Sequence, residues 1–107
     1  MSDFRFETSQ HGDDHLVRLY GDFDITGFKQ VDEALGGIQA GGRPTVTLDL
    51  RQLTFIDSSG IRAILRADAR ARSMGERLRL IAGPDRVQKV FQITRLDDQL
   101  EFVEPED

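Results

Sequence analysis

The stretch Thr45–Ala67, TVTLDLRQLTFIDSSGIRAILRA, decides the fold, because a strand pattern gives way to a helix pattern within it. Its first residues, Thr45–Leu50, alternate polar and apolar side chains and therefore predict a strand. Its last residues, Ile61–Ala67, are rich in good helix formers. Between them lies Asp57–Ser59, whose side chains are of the types that accept hydrogen bonds from the free N–H groups of a helix's first turn. A hydroxyl there is a cap, a nucleophile or a phosphorylation site, and a helix start also favours an added anion.

Composition limits the classes of function that the chain can have. Its 107 residues predict a single domain over residues 1–107, with a core over residues 4–103 and an acidic tail over 104–107. The formal net charge of −5 argues against a nucleic-acid-binding protein, whose phosphate contacts need a basic surface. Without cysteine the chain has no disulfide, thiolate metal site or cysteine nucleophile. No apolar leader or membrane-length apolar run is seen, so we expect a cytoplasmic protein without membrane insertion.

Strand and helix patterns alternate along the rest of the chain. The segments predicted as strands are Phe4–Glu7, Leu16–Tyr20, Thr45–Leu50, Arg77–Ala82 and Leu100–Val103. The segments predicted as helices are Thr26–Gln39, Ser58–Met74 and one that opens at Gly83–Asp85, with its core face on Val87, Val90, Phe91 and Ile93–Thr94. Gly75 is expected to end the second helix, and Ala40–Pro44 to break the chain before the third strand.

This alternation predicts an α/β fold. Strands that are joined through helices are parallel, so we expect a central, mostly parallel sheet of four or five strands. The first two strands are separated only by a polar turn and are expected to form an antiparallel N-terminal hairpin. Three or four helices are expected to lie on the other side of the sheet.

Four segments, taken in order, resemble a known family. They are Gly21–Asp24 (GDFD), Val46–Leu50 with Leu53–Gly60 (VTLDL and LTFIDSSG), Leu78–Pro84 (LRLIAGP) and Val87–Thr94 (VQKVFQIT). Together they resemble the STAS domain family, in particular the stand-alone anti-sigma factor antagonists of bacteria, over residues 4–103. The tetrapeptide Asp-Ser-Ser-Gly alone is weak evidence, but its place between a strand and a helix, among the other segments, is specific.

The resemblance implies a STAS fold and a phosphorylation-switched binding function. The partner would be an anti-sigma factor that is also a GHKL-type serine kinase. By resemblance the phosphate acceptor is Ser58, the first serine of the motif. The unphosphorylated protein would sequester the kinase, the phosphorylated protein would release it, and a serine phosphatase would reset the switch. We expect a monomer or weak homodimer, no cofactor and no metal.

The resemblance also indicates a set of partner-binding residues: Asp22, Asp24, Asp57, Ser59, Gly60, Arg62 and Arg66. Arg62 stands where the family usually has a small residue. It lies one helical turn beyond Ser58, so it neutralises a phosphate on Ser58, contacts the partner directly or blocks its close approach. Arg62, Arg66 and Arg70 form a stripe at i, i+4 and i+8, which is either a solvated face or a partner-specific surface.

Other roles for the same residues stay open. Ser58 also fits a helix cap, and Asp24 fits a cap of the first helix as well as recognition. In a serine hydrolase, Ser58 would be the nucleophile and His11 or His15 the base. Asp24 would then orient the histidine. The chain lacks the Gly-x-Ser-x-Gly elbow and a glycine-rich phosphate loop, so we expect a binding protein and not an enzyme. Within the binding class, the alternatives are a STAS module of a stressosome or transporter-regulating complex, or a nucleotide or lipid sensor.

Overall fold

The computed structural model describes residues 3–42 and 45–106. Within these ranges the strands are β1 Arg5–His11, β2 Asp14–Phe23, β3 Thr45–Ile56, β4 Arg77–Ile81 and β5 Glu101–Val103. The helices are α1 Ile25–Ala40, α2 Ser58–Ser73 and α3 Asp85–Ile93. Arg43 and Pro44 of the predicted chain break, and Asp107 of the predicted acidic tail, lie outside the described residues.

The strands form one sheet in the order β1-β2-β3-β4-β5. β1 pairs with β2 in antiparallel fashion, whereas the three later pairs are parallel. A helix lies between the strands of each parallel pair, as a crossover requires. The predicted α/β fold, with its mostly parallel sheet and N-terminal hairpin, is therefore confirmed.

One face of the sheet and the apolar faces of the helices form the core. Along β2, Val17, Leu19 and Phe23 are buried, whereas Arg18 is exposed on the opposite face. The buried helical side chains that pack on this core include Val31, Leu35, Ile64, Ala67, Val87 and Phe91. The opposite face of the sheet carries polar and charged side chains such as Arg18, Arg51 and Arg79. The three helices of the described residues pack on the apolar face.

β3 is longer and less regular than the predicted strand Thr45–Leu50. It runs on to Ile56, and its register with β2 shifts at two places, each of which places one extra residue in β3. As a result the buried side chains Leu50, Leu53 and Ile56 are spaced by three residues and not by two. The period-2 pattern that predicted the strand is lost at the first shift, which explains why the prediction ended there.

A buried carboxylate holds the first of these shifts. The Asp49 side chain is only 3% exposed and accepts hydrogen bonds from the backbone N–H and the guanidinium of Arg51, at 2.8–3.0 Å. The guanidinium of Arg18 lies 3.6 Å away on β2. Burial alone would raise the pKa of Asp49, but the hydrogen bonds and charge of Arg51 outweigh it and hold that pKa below its usual value.

The end of α2 confirms the role predicted for Gly75. Gly75 has φ +68°, and the N–H of the following Glu76 donates to the carbonyl of Ala71 at 2.8 Å. This is the hydrogen-bond pattern of a helix that ends on a left-handed residue. The helix itself stops at Ser73, one residue before the predicted end.

The core face predicted for α3 is wrong at its last positions. Val87 and Phe91 are buried as predicted, but Ile93 is 71% exposed and Thr94 is exposed as well. Two residues after Phe91, a helical side chain points about 200° away from it, so Ile93 faces solvent. Arg95 then adopts φ +60°, a conformation for which glycine is favoured.

Candidate functional site

The β3–α2 junction presents the Ser58 hydroxyl on the surface. Asp57 has extended backbone, and its Oδ1 accepts hydrogen bonds from the N–H groups of Ser59 at 2.9 Å and Gly60 at 3.4 Å. Asp57 is therefore the cap of α2. The hypothesis that Ser58 caps the helix is wrong, because Ser58 is the exposed first residue of the helix. Ser59 is half-buried and contributes its N–H to the cap.

Gly60 allows the end of β2 to approach the start of α2. It is buried, and a Cβ added there would lie 2.7 Å from the carbonyl oxygen of Phe23. The same oxygen accepts a hydrogen bond from the N–H of Asp57 at 3.3 Å. Only glycine fits this contact, which fixes the first turn of α2 against the β2–α1 connection. Gly60 thus has a packing role in the fold, and its predicted contact with a partner stays a prediction.

Asp22 lies at the same carboxyl edge of the sheet as Ser58. β2 runs three residues beyond its predicted end, and Asp22 is paired in register with Phe55, just before the junction. The Asp22 carboxylate accepts a hydrogen bond from the hydroxyl of Thr54 at 2.5 Å. Asp22 therefore adds a carboxylate to the edge of the sheet that leads to the predicted phosphate acceptor.

Asp24 caps the neighbouring helix. Its Oδ1 accepts hydrogen bonds from the backbone N–H of Thr26 at 3.0 Å and from the Thr26 hydroxyl at 2.6 Å. The hydroxyl contributes most, and the backbone N–H next, to a pKa of Asp24 that is lower than usual. The capping role that the sequence left open is therefore present, and the carboxylate is charged at neutral pH.

The side chain of Arg62 packs against α1. Its guanidinium carbon Cζ lies 4.6 Å from the centre of the Phe28 ring, which is within the range of a cation–π contact. Arg62 is exposed, as is Ser58 one turn before it in α2. This contact distinguishes Arg62 from the other two members of the predicted arginine stripe.

Arg66 and Arg70 join the two helices. Arg66 Nε and Arg70 Nη1 donate to the same oxygen of Asp32 on α1, at 2.9 and 3.1 Å. Arg70 also donates to the Gln39 side chain at 2.8 Å, and that amide donates to the Ala67 carbonyl. The Arg66 hydrogen bond is the main cause of a lowered pKa of Asp32. Neither interpretation of the arginine stripe predicted that Arg66 and Arg70 join α2 to α1, because the acidic partner lies on another helix.

Two exposed apolar side chains at this edge were not predicted as site residues. Phe55 is 43% exposed and Ile25, the first residue of α1, is 61% exposed. Phe55 precedes the buried Ile56 in a strand, where successive side chains point to opposite faces. This alternation alone would have identified either Phe55 or Ile56 as a surface residue.

The structure does not bring together the residues of the serine-hydrolase alternative. His15 pairs in register with Val46, at the opposite end of β3 from Ile56, and His11 lies at the β1–β2 hairpin. Ten residues of strand correspond to roughly 30 Å, so neither imidazole reaches Ser58. The triad of that alternative is therefore not formed.

A cavity near the β1–β2 hairpin is also remote from Ser58. It has a volume of about 330 Å³ and lies on the polar face of the sheet, between Asp14, Arg18, Arg51 and Arg79. Asp14 and Arg79 are paired at 3.3 Å within it. In residues 3–42 and 45–106, no group of three histidine or acidic side chains is placed to hold a metal ion. Within the same ranges, no helix combines the length and apolar character needed to cross a membrane.

Comparison with known proteins gives the family by sequence and the same fold by structure. A family model described as "Mlab, STAS domain" matches residues 6–104. The anti-sigma-B factor antagonist of Listeria monocytogenes is 28% identical over 97 residues, covering 90% of this chain and 85% of the relative. That of Staphylococcus epidermidis is 24% identical over 92 residues, covering 86% and 85%.

Solved structures share the fold at low sequence identity. The anti-sigma factor antagonist from Mycobacterium paratuberculosis superimposes with a TM-score of 0.87 at 17% identity, covering 98% of this chain and 89% of that one. The antagonist SpoIIAA in its unphosphorylated form gives a TM-score of 0.83 at 23% identity, covering 95% and 90%. With the family model spanning nearly the whole chain, this protein belongs to the STAS domain family.

Proposed function

We propose that this STAS domain is an anti-sigma factor antagonist. It binds an anti-sigma factor kinase in the cytoplasm while Ser58 is unphosphorylated and releases it when Ser58 carries a phosphate. The observation that carries the proposal is the exposed Ser58 hydroxyl at the first residue of α2, where Asp57 has already supplied the cap. The names of the Listeria and Staphylococcus relatives support the assignment to this class.

In this proposal the protein is a substrate of its partner and not a catalyst. The Ser58 oxygen attacks the γ-phosphorus of ATP bound to a GHKL-type kinase. A new O–P bond forms, ADP leaves with the old bridging oxygen, and a base of the kinase takes the hydroxyl proton. A serine phosphatase would return the hydroxyl by hydrolysis. The contribution of this chain is to present the hydroxyl on a fixed helix start.

Electrostatics supports release of the partner by phosphorylation. A phosphate adds about −1.5 to −2 charge at pH 7. It would lie next to the Asp57 carboxylate and on the edge that also carries Asp22 and Asp24. A partner surface that fits a neutral hydroxyl on this edge would lose favourable contacts and face repulsion at the same time.

The apolar side chains at the same edge support a protein partner. Phe55 and Ile25 are exposed, and aromatic and aliphatic side chains of this kind anchor protein interfaces. Arg62 on α2 adds an interface-type cation. We therefore place the partner contact on the carboxyl edge of the sheet, around Ser58, Ser59 and these residues. Arg66 is proposed as a secondary contact, because Asp32 already binds its guanidinium.

Capture from cells of the native host tests this function. The baits are the unmodified chain, Ser58→Ala and Ser58→Asp, with Ser9→Asp as a matched control that adds the same charge on the exposed strand β1. We expect a GHKL-type kinase, identified by mass spectrometry, with every bait except Ser58→Asp. Intact-mass analysis with site mapping should find the phosphate on Ser58 and not on Ser59 or Thr54.

Two outcomes would contradict the proposal. Equal recovery of the kinase by Ser58→Asp would mean that charge at this position does not release the partner. Recovery of membrane-transport or stressosome subunits in place of a kinase would favour the other STAS functions considered from the sequence.

A further inference from the structure

The Arg62 guanidinium packs against a neutral ring, that of Phe28 on α1. Its Cζ is 4.6 Å from the centre of Phe28, and Arg62 is exposed. Helical side chains lean toward the N-terminus, and residues four apart share one face. Arg62 and Ser58 therefore share one face of α2. A phosphate on Ser58 would be within reach of a change in the Arg62 rotamer.

Three backbone N–H groups of the helix start, those of Ser59, Gly60 and Ile61, are already in use. Asp57 Oδ1 accepts from the N–H groups of Ser59 and Gly60, and the N–H of Ile61 donates to the Asp57 carbonyl at 3.0 Å. A helix N-terminus binds an anion through such N–H groups. Here a phosphate on Ser58 would find them occupied by a carboxylate of its own charge sign. A side-chain cation would supply hydrogen bonds that these N–H groups cannot give.

Arg62 is the cation best placed to supply these hydrogen bonds. Arg66 lies a further turn along α2 and is hydrogen-bonded to Asp32. Arg86 on α3 donates to the carbonyl of Thr54 at 3.5 Å. Lys29 on α1 is exposed beside Phe28 and is the main competitor.

We propose that Arg62 is the phosphate-binding residue of this switch. When Ser58 carries a phosphate, the guanidinium leaves the Phe28 ring and pairs with the phosphate oxygens. A charge-assisted contact to a phosphate is stronger than an exposed cation–π contact, so the exchange is favourable. Phosphorylation then changes the carboxyl edge of the sheet, where we place the partner contact, in two ways. It adds charge at Ser58, and it uncovers the Phe28 ring. The inference rests on the proposed phosphorylation of Ser58.

A phosphorus NMR titration tests the pairing without any partner. The full chain is prepared with phosphoserine installed at position 58 during synthesis, alone and combined with Arg62→Gln, Arg62→Lys or Lys29→Gln. Pairing with a cation favours the dianion, so we expect the second phosphate pKa to be about 0.5 unit lower with Arg62 than with Arg62→Gln. Arg62→Lys should restore part of this shift, and Lys29→Gln should leave it unchanged.

The Phe28 ring resonances give a second readout. In the unphosphorylated chain, Arg62→Gln should move them, because the ring loses its cation. Phosphorylation of the unsubstituted chain should move them in the same direction. Equal phosphate pKa values with and without Arg62, or a loss of the shift in Lys29→Gln, would overturn the proposal. Thermal melts exclude unfolding as the cause. Failure here leaves the anti-sigma function standing, since no partner is present.

Discussion

Two strand–helix junctions of this molecule share a backbone design and differ in what they present. Asp24–Gly27 follows β2 and Asp57–Gly60 follows β3. In each, the aspartate has extended backbone, with φ of −126° and −121°, and caps the helix through Oδ1. In each, the glycine three residues later is buried. The first exposed helical residue is Ile25 in one junction and Ser58 in the other, so the same geometry presents an apolar side chain once and a hydroxyl once.

The two glycines pack against different kinds of atoms. A Cβ on Gly27 would lie 2.7 Å from a ring carbon of Phe4, whereas a Cβ on Gly60 would lie 2.7 Å from the backbone oxygen of Phe23. A ring turns aside more easily than a strand backbone moves. The comparison indicates that the Ser58 junction is the more rigidly held of the two, as a site that presents one hydroxyl in a defined position requires.

Replacement of these two glycines by alanine should give the largest difference in stability between the two junctions. We expect Gly60→Ala to lower the free energy of unfolding by about 2–3 kcal/mol, because the added methyl group collides with backbone. Gly27→Ala should change it by less than about 1 kcal/mol, because the gain in helix propensity offsets displacement of Phe4. Urea denaturation of both variants measures the difference. Equal losses would show that the two sites are packed alike.

Removal of the caps should have a smaller effect. Asp57→Ala is expected to cost about 1 kcal/mol of stability, since two N–H groups lose their acceptor. Asp57→Asn keeps an acceptor at the cap and should stay within about 0.5 kcal/mol of the unsubstituted protein. Chemical denaturation tests both. If the asparagine variant were as unstable as the alanine variant, charge and not hydrogen bonding would hold this helix start.

The smallest expected effect is on the acid stability of the first junction. The Thr26 hydroxyl is the main cause of the lowered pKa of Asp24. A carboxyl whose pKa is lower in the folded state than its unfolded value near 3.8 contributes stability that is complete above that pH and is lost as pH falls through the folded pKa.

Thr26→Val should therefore raise the pKa of Asp24 and flatten the loss of stability below about pH 4. NMR titration of Asp24 and urea midpoints across this range check it. Thr8→Val, at an exposed position of β1, is the matched control and should leave both unchanged. An unaltered Asp24 titration in Thr26→Val would contradict the assignment of the shift to the hydroxyl.

Local patterns were sufficient to predict most of the fold. The alternation in Thr45–Leu50, the helix formers in Ile61–Ala67 and the stop at Gly75 depend on neighbours in the chain, and each led to the observed element. The continuation of β3 to Ile56 was missed, because the strand changes phase where Asp49 and Arg51 hold a register shift. A register shift is a property of the pairing with β2. The sequence of β3 alone therefore shows no periodic pattern that would reveal it.

The candidate site was predictable in position and less so in detail. Asp57 and Ser58 were placed at a helix start from residue type alone. The cap was assigned to Asp57 only by hydrogen bonds, because aspartate and serine both cap helices. The contacts of Arg62 with Phe28 and of Arg66 with Asp32 join different helices, so no spacing within α2 encodes them. The roles of these residues toward a partner stay predictions.

The central claim is that charge at Ser58 controls binding, and calorimetric titration of the captured kinase measures it most directly. The account predicts that a chain with phosphoserine at position 58, or Ser58→Asp, binds at least about tenfold more weakly than the unmodified chain, or ~1.4 kcal/mol. Ser58→Ala and the charge control Ser9→Asp should bind as the unmodified chain does. Thermal melts of Ser58→Asp should show a stability change below about 1 kcal/mol, because a helix N-terminus accepts a carboxylate. Undiminished affinity of the phosphorylated chain would contradict the account.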